Sequence, residues 1–145
     1  MTTVVRAVAR LLLAPSLIVA AAMIVKGYSD VGDGFSAGVI VGLAVTLQYI
    51  ALGPRGAEAA LPMLRLAPIA VVTGLLLALA AGFFPIVYGG AIFTHFPPAG
   101  VHPIRIGTLE LITAVVLDLG VFLLVAGVLV VLVRQLTAPE TEAAE

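Results

Sequence analysis

Asp118 is the residue of this sequence best placed to do chemistry. It stands inside an apolar run from Leu111 to Val133, bounded by Glu110 and Arg134, and no other charge lies between those ends. A run of that length can cross a bilayer, which takes about 20 mostly apolar residues. A position seven residues inside such a helix is about 10 Å from its end. An ionised aspartate at mid-membrane costs about 2.5–3.5 kcal/mol on insertion scales. Loss of solvent favours the protonated carboxyl, and a nearby cation favours the ionised one. A group held between those influences can take up either a proton or a metal cation, which is the chemistry of cation/proton exchange. The competing reading is structural, a hydrogen bond or an ion pair to a neighbouring helix. A sodium site would need further oxygens. Thr46, Gln48, Thr73 and Thr113 are the polar residues at depth that could add them, with backbone carbonyls or other chains supplying the rest.

The other reactive side chains are more ordinary. Glu110 falls at the outer margin of the same predicted helix, about 80° around from Asp118 at 100° per residue. It reads first as an interfacial acid near Arg105 and second as an ion-path candidate. Lys26 closes the first apolar run, where its aliphatic stem can snorkel. His95 and His102 lie among Pro97, Pro98 and Pro103 at a spacing that matches no metal motif, and the chain has no cysteine. No metal site is expected. Gly32-Asp33-Gly34 precedes an apolar run instead of joining a strand to a helix, so it is not a nucleotide loop. It reads as a tight glycine turn, with Asp30 and Asp33 favourable near the positive N-terminal end of the next helix. No nucleophile–base pair or HExxH occurs, and neither enzymatic activity nor a cofactor is expected.

The elements that must position these residues follow from composition. Of 145 residues, 62% are hydrophobic and 10% charged, and the mean hydropathy is +1.25. A soluble domain is about 25% charged; this chain could not clothe a water-facing surface, and it has too much to bury to be disordered. The absence of cysteine removes disulfide and thiolate chemistry, and a net charge of −1 gives no basis for nucleic-acid binding. An all-α, polytopic membrane protein is expected, with four spans at about 4–25, 35–52, 66–87 and 111–133. Pro68 suits a first helical turn, and Pro85 should kink or stop the third span. The spans form one domain, 1–136, followed by a short acidic cytoplasmic tail, 137–145. The N-terminal run has features of a secretory signal, but with three spans after it a retained signal-anchor is expected. An even number of spans puts both termini and the Gly53–Arg65 loop on one side. Arg6, Arg10, Arg55, Arg65 and Arg134 are on that side, against Lys26 and Arg105 on the other. The positive-inside rule then places both ends in the cytoplasm.

Membrane helices associate through small residues and polar contacts. Gly34, Gly38, Gly42 and Thr46 recur every four residues in the second span, as do Ala70, Gly74, Ala78 and Gly82 in the third. In the fourth, Thr113, Gly120 and Gly127 are seven apart, and Asp118 points about 200° away from Gly120. A close-packing groove on one face and a carboxyl on the other need two covers. The expectation is that an external subunit provides one of them and that the chain is part of a larger membrane assembly.

Two segments carry a family resemblance. Gly27-Tyr28-Ser29-Asp30-Val31-Gly32-Asp33-Gly34-Phe35-Ser36-Ala37-Gly38 is similar to the Gly…Pro-Gly-Gly-Gly-Phe-x-x-Gly signature of the MnhB/MrpB subunit of multisubunit Na⁺/H⁺ (Mrp-type) antiporters. Leu117-Asp118-Leu119-Gly120-Val121 resembles the Asp-x-Gly-Val segment of that family's last helix. The departures are Val31 at the proline position, Asp33 for a glycine, and Tyr28 where many members have histidine. The resemblance implies a small accessory subunit in the cell membrane, next to larger subunits that move Na⁺ and H⁺. Asp118 and Glu110 would be its ion-path candidates, and Gly32, Gly34, Gly38, Gly42, Gly120 and Gly127 its turn and packing positions. Two alternatives stand: the equivalent subunit of an ion-pumping membrane-bound hydrogenase or related respiratory complex, and a purely structural assembly subunit.

Overall fold

The structure is a computed structural model that describes residues 2–26, 33–92, 104–106, 109–111 and 113–138. Four long helices dominate it: α1 (Thr3–Lys26), α2 (Asp33–Ala60), α3 (Ala67–Phe83) and α4 (Thr113–Thr137). All four, with α3 extended by its flanking 3₁₀ turns, are long and apolar enough to cross a membrane. A short antiparallel pair, β1 (Ile104–Ile106) and β2 (Leu109–Leu111), precedes α4.

Proline and glycine set the breaks. Within α2, Gly53 has φ 75° and ψ 168°, a conformation open essentially to glycine alone, and Pro54 follows. Proline disfavours helical geometry at the residue before it, so the apolar part of α2 ends here, and a second helical piece runs on to Ala60. The connection expected as a loop is therefore mostly helical, continuing through a 3₁₀ turn at Pro62–Leu66. Pro68 occupies the first turn of α3. At the far end the α-helix stops at Phe83 and tightens into a 3₁₀ turn, Phe84–Tyr88, which contains Pro85 and is closed by left-handed Gly89.

The helices form a row in the order α1, α2, α4, α3. Contacts fix their directions. Gln48 bonds to Ala9 and Lys26 lies 4.0 Å from Asp33, so α1 and α2 are antiparallel. Asp118 meets Gly34 while Arg134 meets Glu58, so α2 and α4 are parallel. The residues at the close α3–α4 approach run in opposite senses. The start of α1 and the end of α4 consequently lie at the same end of the row.

Glycine grooves explain that order. Side chains at Gly38 and Gly42 would run into Val125 and Leu129 of α4, so these glycines are where the α4 side chains insert. On the other side of α4, a Cβ on Gly120 would lie 2.7 Å from the Ala78 amide nitrogen, and one on Gly74 2.5 Å from that of Leu124. Here backbone approaches backbone. Both faces of α4 are thus covered by this chain's own helices, α2 on the Asp118 side and α3 on the Gly120 side. This corrects the expectation that one face would need an external subunit; α4 is internal to the row. The outer surfaces belong chiefly to α1 and α3, where Leu11 is 72% and Leu76 61% exposed. Apolar exposure of this kind suits lipid or a neighbouring membrane helix.

Candidate functional site

The site around Asp118 is built where α2 begins. The first N–H groups of a helix have no partner within it, and in a bilayer an unsatisfied one costs several kcal/mol. Asp118 Oδ1 accepts the Gly34 N–H at 2.9 Å across a sequence separation of 84 residues. The side chain is nearly buried, at 9% exposure. A carboxylate at this position also meets the positive end of the α2 dipole. Gly34 is required for the approach, because a Cβ there would collide with the Asp118 carbonyl oxygen. Asp33, the first residue of α2, adds a second acid at the same end and lies 4.0 Å from Lys26 at the end of α1. The result joins the ends of three helices at one level.

This geometry changes the depth expected for Asp118. With α4 beginning at Thr113, the residue sits five positions in and level with the first turn of α2. It is near the end of the span, about 7–8 Å along the helix. Glu110 is not on the helix at all: it belongs to β2, in register with Arg105 of β1. The reason is that α4 starts after it, so the rotation reckoned from a continuous helix does not apply. Asp118 is therefore not paired with Glu110 on one helix face. Gly34, Gly38, Gly42, Gly120 and Gly127 all lie at close helix approaches. Gly32, His95 and His102, with the tail beyond 138, lie outside the described residues.

A second polar cluster occupies the opposite end of the row. Arg134 Nε donates to Glu58 Oε1 at 3.0 Å, and the Tyr49 hydroxyl donates to the same oxygen at 3.3 Å. It closes the parallel pair α2–α4 at its far end as Asp118 does at the near end. Sequence reasoning missed this cluster. A signal existed: Glu58 is the lone acid of the Gly53–Arg65 segment, which the count of spans puts on the same side as Arg134. Between α1 and α2, Gln48 is 1% exposed, and its Nε2 donates to the Ala9 carbonyl at 2.6 Å. Its Oε1 is buried with no hydrogen-bond partner among the described residues. Gln48 and Asp118 lie toward opposite ends of α2, so they do not form one cation site.

With this architecture in place, comparison with known proteins is informative. The family described as "Domain related to MnhB subunit of Na+/H+ antiporter" matches residues 4–131, spanning all four helices. The chain belongs to the MnhB family. Among curated relatives, the B-type subunit of the Na⁺/H⁺ antiporter of Bacillus subtilis is 30% identical over 118 residues, 81% of this chain and 80% of that protein. Its counterpart in the Na⁺/H⁺ antiporter of Alkalihalophilus pseudofirmus, also of B type, is 33% identical over 102 residues, 70% of this chain and 69% of that protein. A probable K⁺/H⁺ antiporter protein of combined A/B type from Rhizobium meliloti is 33% identical over 114 residues; these make up 78% of this chain but only 11% of that much longer protein. This MnhB-family chain is a multi-pass membrane protein with four apolar helices.

Proposed function

We propose that this MnhB-family chain is the B-type small subunit of a multisubunit monovalent cation/proton antiporter of the cell membrane. The observation that carries the reading is the family match across all four spans, supported by two B-type relatives of which the alignments cover 80% and 69%. Its contribution is to assembly and to the ion-translocating module, without catalysis of its own. Both termini face the cytoplasm, on the side of Arg6, Arg10, Arg55, Arg65 and Arg134. Asp118 serves first as the cap that ties α4 to the start of α2; its hydrogen bond to Gly34 supports this over a free ion ligand. Glu110 contributes at the membrane margin opposite Arg105.

Purification in mild detergent followed by mass spectrometry tests the assembly. The expected result is co-recovery of several small hydrophobic subunits and large antiporter-like subunits. Recovery with iron–sulfur or nickel subunits would transfer the chain to a redox-driven complex. Isolation as a lone monomer would overturn the reading.

A further inference from the structure

We infer that the end of the row carrying Glu58 and Arg134 holds a binding site for the phosphate group of an anionic membrane phospholipid. A cavity of about 460 Å³ opens there between α2, α3 and α4. Arg55, Arg134, Glu58 and Tyr49 line its polar part, and Pro68 and Val131 its apolar part. It lies where the spans end: Arg55 follows the Gly53–Pro54 break, and Arg134 is in the last turn of α4. A lipid has the same gradient at this depth, a charged head above an apolar stem.

The charges match a phosphodiester. Two guanidinium groups against one carboxylate leave a single positive charge, and a phosphodiester brings a single negative one. Arg134 gives its Nε–H to Glu58, and a guanidinium has five N–H donors in a planar fork. The N–H groups beyond those turned toward Glu58 and Tyr49 can serve phosphate oxygens, which suit that fork geometry. Glu58 fixes Arg134 in place and is itself held by Tyr49. Arg55 is exposed on the rim and makes no ion pair with the acids of the described residues. Basic pockets between membrane helices at the cytoplasmic side bind anionic headgroups in this way.

The test uses the intact complex in nanodiscs of phosphatidylcholine alone or with phosphatidylglycerol, comparing the wild type with Arg55→Gln and with Arg65→Gln. Arg65 is exposed at the same end but does not line the cavity. The expected result is a higher melting temperature with phosphatidylglycerol and retention of that lipid through detergent washing. Arg55→Gln should weaken retention about fivefold, the worth of one arginine near the surface at about 1 kcal/mol, and Arg65→Gln should not. Equal retention in wild type and Arg55→Gln would overturn the site. Equal stabilisation by inorganic phosphate in phosphatidylcholine discs would assign it to a soluble anion and overturn the lipid reading. A photo-crosslinker at Gln135, on the cavity wall, should capture lipid; capture of another protein of the complex instead would make the cavity a protein interface and overturn it as well.

Discussion

Aspartate and asparagine present the same kind of oxygen to a helix N-terminus and cap it about equally well, whereas alanine offers none. Substitution at position 118 therefore separates the hydrogen bond to Gly34 from the charge. Asp118→Asn should keep complex abundance and Na⁺-driven proton movement in everted vesicles near wild type. Asp118→Ala should lower stability by about 0.5–2 kcal/mol, the usual worth of a cap, and should reduce the amount of assembled complex. Loss of transport in Asp118→Asn at normal abundance would instead put the carboxyl in the ion path. The sequence singles out Asp118 because it is the lone charge in its run. Its partner is not legible there, because a backbone N–H 84 residues away leaves no trace in residue type beyond a glycine. Glu110 stands in register with Arg105, the neighbour its first reading gave it, but off the helix: an apolar pattern does not say where a helix begins, and β2 holds Glu110 and Leu111 before α4 starts at Thr113.

Glycines in these helices act by two separate physical routes, and the elements respond differently to losing them. Gly53 has nothing within 4 Å of where a Cβ would be, yet its φ of 75° with ψ 168° is open essentially to glycine alone. Gly53→Ala should cost about 1–3 kcal/mol through backbone strain, read as a fall in melting temperature in detergent. Gly120 is the opposite case, an ordinary helical residue whose added Cβ would sit 2.9 Å from the Gly74 carbonyl and 2.7 Å from the Ala78 nitrogen. Gly120→Ala must push α3 and α4 apart, at about 1–3 kcal/mol for overpacking. Crosslinking yield between cysteines introduced at facing positions of α3 and α4 should fall in this variant and stay unchanged in Gly53→Ala. The number of long helices was legible from hydropathy, and the expected end of the second span, Leu52, falls one residue before the Gly53–Pro54 break; small-residue spacing marks candidate packing faces. The pairing of those faces was not legible, since a small-residue stripe marks where a helix can approach but not which helix does. That is why α4, with two such demands on opposite faces, suggested an outside partner when α2 and α3 meet both.

For the whole molecule, the packing order α1, α2, α4, α3 leaves long apolar surfaces on the outer helices α1 and α3. In lipid such surfaces carry no penalty, because the acyl chains are as apolar as leucine; in a complex they are the faces available to other subunits. The directions of α1, α2 and α4, read from the pairs Gln48–Ala9, Asp118–Gly34 and Arg134–Glu58, put the start of α1 and the end of α4 at the same end of the molecule. Arginines gather at that end, and the positive-inside rule counts such residues near the span ends, so the cytoplasm is the expected side. The chain contains no cysteine, which makes single-cysteine labelling of this protein unambiguous. Thr2→Cys and Ala138→Cys should react with a membrane-impermeant maleimide only after cells are opened or membranes everted. Gly90→Cys, in the connection after α3, should react in intact cells. Reaction of the two terminal positions from opposite sides would contradict the helix directions themselves. Reaction of both from outside would leave the helix directions intact but invert the molecule, placing the arginine-lined cavity in the outer leaflet.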